Sequence, residues 1–333
     1  MNLATSRYHP GNALRKFILQ IIFTFGLLVS LFFQVDWKAV QDSLQSVNPL
    51  FFIASTAIAI SGTFCLAVKY HVLIKGSPLE LSLARLVTIN FITRYYALLL
   101  PTAIGPEAVR WYKVTKGKGG RSFFLASTIV ERIFFLLVLL LCGAIPLLFT
   151  PHPAIQQFNK SLLPLLAVFL IGLLVMLTFF LVPFINEPIR TFLLHVLRVK
   201  SDTKLHGFVT NFSLKNSSPG VLAVLFVQTV IWQFLFLMRM YLLFKALDLP
   251  FNFWDSTWMG SLVLLLQTLP VTYAGLGLRE GAYAYLFQLQ GVSPELGVTI
   301  GLLFFTQLLI FAAIGCFFET MEACKSRQKQ NRS

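Results

Sequence analysis

Long apolar runs separated by short polar clusters set the pattern of this chain. Lys16 to Val35, Pro49 to Tyr70, Ser122 to Phe149, Leu162 to Phe184, Val221 to Leu247 and Glu295 to Phe318 are each long enough to span, or nearly span, a hydrocarbon core of about 30 Å. Their apolar residues run on without alternating, which predicts α-helices rather than the short two-sided strands of a membrane barrel. Between the first two runs, Asp36, Trp37, Lys38 and Asp42 read as a short outer loop, with Trp37 at the membrane interface.

Two regions depart from this pattern. Glu80 to Leu100 has helical propensity but carries Arg85, Asn90 and Arg94, too polar for an ordinary lipid-facing span, and it stops at Pro101. A second helical piece begins around Pro106, because proline lacks only an N–H that a first helical residue leaves unbonded anyway. Downstream, a short run from Trp258 to Pro270 meets a glycine turn and resumes as Arg279 to Leu289.

The two breaks echo each other. In Leu100-Pro101-Thr102-Ala103-Ile104-Gly105-Pro106-Glu107-Ala108-Val109-Arg110 and in Leu269-Pro270-Val271-Thr272-Tyr273-Ala274-Gly275-Leu276-Gly277-Leu278-Arg279, a Leu-Pro closes an apolar run and an arginine stands nine positions after the proline. Broken backbone at membrane depth survives only where it is buried in protein or lines a wet cavity. Each break is therefore expected to be the tip of a re-entrant helical hairpin.

Composition agrees with this class and charge orients it. The chain is 56% hydrophobic and 12% charged, with 34 phenylalanines and a mean hydropathy of +0.76, whereas a soluble domain is about a quarter charged. The net charge of +14 falls in clusters: Arg7, Arg15 and Lys16; Lys69, Lys75 and Arg85 after the second span; Lys113, Lys116, Lys118 and Arg121; Arg190 to Lys215; and the tail from Lys325. Positive-inside topogenesis accounts for such clusters, and no soluble module is present to bind nucleic acid.

Following the chain between these clusters predicts an all-α, polytopic transmembrane bundle of about seven full spans and two re-entrant hairpins, the hairpins entering from opposite faces as an inverted repeat. That arrangement is characteristic of transporters. Residues 1–15 form a cytoplasmic tail and residues 16–322 the membrane domain. Its halves, about 16–185 and 220–322, are joined by a basic cytoplasmic linker at about 186–219, and residues 323–333 form a second cytoplasmic tail. The expected location is the cell (inner) membrane, multi-pass, with both termini cytoplasmic. The apolar segment after Lys16 lacks a small-residue cleavage site, so it is read as an uncleaved first helix. Cys65, Cys142, Cys316 and Cys324 show no CxxC spacing and are expected to be free thiols.

Ionisable residues inside a bilayer cost about 2.5–3.5 kcal/mol each on insertion scales, so Glu107, Arg110, Glu131, Arg132, Arg279 and Glu280 need partners or a purpose. Each break is followed by a helix whose free N–H groups and positive dipole end point into the membrane interior. Arg110 and Arg279 lie about one turn into those helices, which suits an anion such as a lipid phosphate. Glu107, Glu131 and Glu280 balance the arginines in the empty site, and Gly105, Gly275 and Gly277 let the backbone approach a headgroup. Glu131 and Arg132 are equally compatible with a purely structural role, Glu131 or Glu107 pairing with Arg110 or Arg132. Arg94 and Arg239 read as packing or snorkelling residues, and Tyr95, Tyr96, Trp111 and Tyr273 as packing aromatics or the lining of an acyl-chain path. His9, His71, His152, His195 and His206 are isolated, and no HExxH, GxSxG, Walker A or Rossmann pattern occurs. No enzyme activity, cofactor or metal is expected.

These blocks carry a family resemblance. Ile104-Gly105-Pro106-Glu107-Ala108-Val109-Arg110, then Ala126-Ser127 and Glu131-Arg132, then Gly275-Leu276-Gly277-Leu278-Arg279-Glu280, resemble the signature blocks of the transmembrane, flippase-like domain of lysylphosphatidylglycerol synthases, over roughly Arg15 to Glu322. Two positions depart from it: Pro106 stands where the family often has glycine, and Phe134 and Phe135 stand where it often has an aspartate. The resemblance implies a domain that moves lipids or lipid-linked precursors between leaflets. It carries no aminoacyl-transferase domain here, so lysyl transfer is not expected. The leading expectation is a lipid translocase whose partners are membrane lipids with an anionic headgroup or a polyprenyl phosphate, with no nucleic acid and with a homo-oligomer allowed. A membrane scaffold or accessory subunit, and an ion-coupled small-solute transporter, are the alternatives.

Overall fold

A computed structural model describes residues 10–75, 77–100, 105–118, 120–149, 160, 164–175, 219–269 and 271–330. Every regular element among them is helical. In chain order these are α1 (Pro10–Gln34), α2 (Trp37–Gln45), α3 (Pro49–Ile74), α4 (Leu83–Leu99), α5 (Gly105–Thr115) and α6 (Arg121–Phe149). There follow α7 (Pro164–Val175), then α8 (Pro219–Ala246), α9 (Phe253–Thr268), a 3₁₀ turn at Tyr273–Gly275, α10 (Leu278–Leu289) and α11 (Pro294–Gln330).

Four of the described helical stretches are long and apolar enough to cross a membrane: Pro49–Ile74, Ser127–Leu147, Ala223–Ala246 and Pro294–Cys324. A fifth is reached if the pair Gln20–Gln34 and Trp37–Gln45, bent by 88°, counts as one span. This is fewer than the seven or so expected from the sequence. About half of the run from Leu162 to Phe184, the tip residues 101–104 and nearly all of the basic linker at 186–219 lie outside the described residues. Large side chains such as Phe25, Phe33, Leu50 and Val168 face outward, as suits surfaces solvated by lipid tails.

The helix starts follow local chemistry. Asp36 caps α2 by accepting from the Lys38 and Ala39 N–H groups at 2.9 and 3.3 Å, so the polar Asp36–Asp42 stretch is a helix start and not the loop its composition suggested. Asn48 accepts from the Leu50 N–H ahead of α3. Asn252 and Asp255 exchange bonds in a capping box at α9. Each cap satisfies an N–H that would otherwise be orphaned, typically worth about 1 kcal/mol.

One helix organises the packing. Along α11, a Cβ on Gly297 would fall 2.5 Å from the Ala284 nitrogen, on Gly301 2.7 Å from Glu280 Cγ, and on Gly315 2.1 Å from the Phe91 carbonyl oxygen. These glycines let α11 lie directly on the backbones of α10 and α4, the close approach that small residues permit between membrane helices. Between the two contact zones, Gln307 donates to Ser55 at 2.9 Å and Thr56 at 3.0 Å and accepts from Arg239 at 2.7 Å. That single side chain therefore ties α3, α8 and α11 together. Near the far end of α11, Glu322 accepts from Arg85, early in α4, and from Lys113, late in α5, while Glu319 accepts from Lys113 and Tyr96. Both ends of the α4–α5 segment are thereby held at one carboxylate. At the other segment, Phe251, just ahead of α9, packs at 4.9 Å on Phe287 near the end of α10.

Candidate functional site

The first break delivers Arg110 to the interior. Gly105 is buried where α5 begins, and Glu107 and Arg110, three residues apart on α5, form an ion pair. Arg110 also donates to the Tyr70 hydroxyl of α3 at 3.0 Å, and its guanidinium lies 5.0 Å from the centre of the Tyr70 ring. Tyr70 in turn packs on Phe124 of α6. Arg110 is 6% exposed, and its Nε has no hydrogen-bond partner among the described residues.

The second break is built on left-handed backbone. Ala274, Gly275 and Gly277 have φ of 51°, 75° and 76°, a region that L side chains reach at a cost and glycine freely. Space is tight as well: a Cβ on Gly277 would lie 3.0 Å from Leu27 Cβ, and on Gly275 3.1 Å from Gln267 Oε1, so these neighbours would have to give way. Helix α1 braces the turn further, since Thr24 Oγ1 accepts the Tyr273 N–H at 2.8 Å. Glu280 then closes the start of α10 by accepting the Gly277 N–H at 2.7 Å through Oε2. Its Oε1 takes Arg279 Nε at 3.0 Å and Nη2 at 2.5 Å. Arg279 is only 1% exposed, and its Nη1 finds no partner among the described residues.

The second break touches the helix that leads into the first. The Tyr273 hydroxyl donates to the Leu98 carbonyl, in the last turn of α4, at 2.5 Å. On the α11 side, the Phe304 ring carries two guanidinium groups, that of Arg279 at 4.8 Å and that of Arg239 from α8 at 4.1 Å from its centre.

Glu131 corrects one reading of the sequence. It pairs with Lys69 of α3 at 2.5 Å, the two side chains being 13% and 3% exposed, and not with Arg110 or Arg132. Lys69, which composition alone grouped with the basic loop after the second span, is inside because α3 continues to Ile74 and carries it into the core. Arg132 is exposed on α6, its guanidinium 5.0 Å from the Phe135 ring centre. Arg239, read from the sequence as a packing or snorkelling residue, bonds Gln307 and stacks on Phe304. The signal available for it was a lone arginine deep in the apolar run from Val221 to Leu247.

This constellation suits holding an anion. Guanidinium groups present several fixed N–H donors and match carboxylate or phosphate geometry, and Arg110 and Arg279 each keep an N–H without a partner among the described residues. Among the described residues no group of three His, Cys, Asp or Glu side chains is placed to hold a metal ion. All four cysteines are free thiols.

Fold and site together define an all-helical membrane protein with a buried cationic interior at two helix breaks. The model of the lysylphosphatidylglycerol synthase TM region matches residues 17–315, and the chain belongs to that family. No curated protein and no solved structure matches it.

Proposed function

We propose that this protein is a lipid translocase, without catalytic chemistry, that passes an anionic phospholipid or lipid-linked phosphate between leaflets. In this reading the headgroup enters the interior at Arg110 and Arg279 while its tails stay in the bilayer. The α4–α5 and α9–α10 segments act as re-entrant hairpins of an inverted repeat within about seven spans, with both termini cytoplasmic. Family membership supports a membrane, lipid-related role.

The observation that carries the proposal is the matched pair of arginines. Each stands in a helix that begins at a glycine break, each is nearly inaccessible, and each retains an N–H without an acceptor among the described residues. A buried donor left without a partner costs about 1–3 kcal/mol. A structural ion pair alone leaves that cost unanswered, whereas a phosphate oxygen meets it. Contact of the second break with the end of α4 through Tyr273 and Leu98 supports a shared site.

Leaflet exchange of headgroup-labelled lipids in liposomes holding the purified protein tests the reading. Wild type is expected to accelerate exchange, and folded Arg110→Ala and Arg279→Ala variants to lose it. Wild type inert toward a panel of phospholipids and polyprenyl phosphates, with and without a proton gradient, would favour a scaffold or a small-solute transporter.

A further inference from the structure

One ring on α11 gathers two arginines from different helices. The guanidinium carbons of Arg239, on α8, and Arg279, on α10, lie 4.1 and 4.8 Å from the centre of the Phe304 ring. Each is held there by bonds behind it. Gln307, fully buried one turn further along α11, accepts Arg239 Nε at 2.7 Å, and its own amide is aimed by donating to Ser55 and Thr56 of α3. Ser55 also donates to the Arg239 backbone carbonyl at 3.0 Å, so this arginine is fixed at both ends. One turn before Phe304, Gly301 leaves room for Glu280, since a Cβ there would fall 2.7 Å from Glu280 Cγ. Glu280 Oε1 takes Nε and Nη2 of Arg279, and its Oε2 takes the Gly277 N–H.

These bonds decide which donors remain. Arg239 gives its Nε to Gln307, so any further group it holds is held through its two terminal nitrogens. Arg279, 1% exposed, keeps Nη1 without a partner among the described residues. A network that only tied α3, α8 and α11 together would need no more than a neutral donor at position 239. A guanidinium instead brings a second positive charge to the ring that already carries Arg279. Like charges at one ring repel, and an anion between them is attracted by both. The ring face favours each cation but offers no acceptor oxygen to its N–H groups.

We infer that Arg239 is a headgroup-binding residue, and that it and Arg279 grip one phosphate group jointly over Phe304. This rests on the headgroup reading above and adds to it an arm from α8. Phosphate suits the pair because its oxygens can each accept from a planar guanidinium fork, one on either side. Half-buried Arg239 is the member that an entering group can reach, and Arg279 supplies the enclosed donor. The grip joins the long span α8 to α10, the helix that follows the second break, with Phe304 of α11 as its floor.

The test uses the full chain in phosphate-free dodecyl maltoside micelles, with dodecyl phosphate and inorganic phosphate as probes. Arg239→Gln is expected to weaken dodecyl phosphate binding on the order of tenfold, as loss of one charge-assisted contact allows. Arg279→Gln is expected to weaken it as much, and Arg239→Lys, which keeps the charge, to recover part of the loss. Inorganic phosphate that displaces dodecyl phosphate identifies the free group as sufficient, and failure to displace it identifies a lipid-borne phosphate; in either case the loss in Arg239→Gln supports the joint grip. Should Arg239→Gln fail to fold, solid-state NMR distances from the bound phosphorus to labelled arginine nitrogens carry the test. Wild type is expected to place one more guanidinium against the phosphorus than Arg239→Lys does, and the same number in both overturns the inference. Wild-type affinity in Arg239→Gln beside a loss in Arg279→Gln overturns it too, while the headgroup reading stands. A wild type that binds neither probe overturns both.

Discussion

The Tyr273 hydroxyl donates to the Leu98 carbonyl at 2.5 Å, so the second glycine turn is bonded to the end of the helix that leads into the first break. Thr24 holds the same tyrosine by its N–H. Residues 175 positions apart in sequence therefore meet through one side chain.

Replacing Tyr273 by Phe removes that bond and leaves the ring. The expected loss of stability is about 1 kcal/mol, visible as a modest fall in thermal midpoint. Lipid exchange is expected to change more than headgroup affinity, since the bond couples the breaks without contacting the arginines. Unchanged exchange in Tyr273→Phe would remove the coupling from the account.

The Lys69–Glu131 pair gives a sharper stability prediction. Both partners are largely withdrawn from the surface, so neutralising one leaves an unpaired interior charge, which typically costs about 3–5 kcal/mol. Lys69→Met alone and Glu131→Gln alone are expected to lower the thermal midpoint strongly. The double variant Lys69→Met with Glu131→Leu is expected to recover most of the loss. Additive losses in the double variant would mean that the two residues do not act as a pair.

Gly315 tests the packing of α11. An added Cβ meets the Phe91 carbonyl at 2.1 Å, and backbone cannot step aside as a flexible side chain can. Gly315→Ala is expected to cost about 1–3 kcal/mol through overpacking. Gly26→Ala, with open space around it, is the control and is expected to leave the melting profile unchanged. Equal melting of the two variants would show that α4 and α11 do not pack at this distance.

The acidic residues near the end of α11 give a milder prediction, because they are partly open to solvent. Glu322 is 25% exposed and Arg85 39%, so Glu322→Gln is expected to cost no more than about 1 kcal/mol, and less in high salt. A large, salt-insensitive loss in a salt series of thermal melts would place this cluster in the core instead.

Much of the helical framework was legible in the sequence because a hydrocarbon solvent demands long apolar runs. The starts and ends of α3, α6 and α8 fall within a few residues of the runs that announced them. The breaks were legible because proline, glycine and arginine together are rare in such sequence, and Gly275 and Gly277 do take up left-handed backbone. Other features were hidden by the kind of information they need. The helix α2 was masked by its polarity, although Asp36 ahead of Trp37 was an available capping signal. Pairing of Lys69 with Glu131 joins residues 62 positions apart, and nothing local distinguishes Lys69 from a topogenic lysine. Arg239 and Phe304 are brought together by the crossing of α8 and α11, which periodicity does not specify.

The most direct test of the central claim, that the interior arginines hold a lipid phosphate, is native mass spectrometry of the protein extracted from membranes in mild detergent. Wild type is predicted to carry a phosphate-bearing lipid at about one per chain, and folded Arg279→Gln to lose it while Arg279→Lys keeps part of it. An Arg279→Gln protein that retains the same lipid in the same amount would contradict the account, leaving Arg279 and Glu280 as a structural pair.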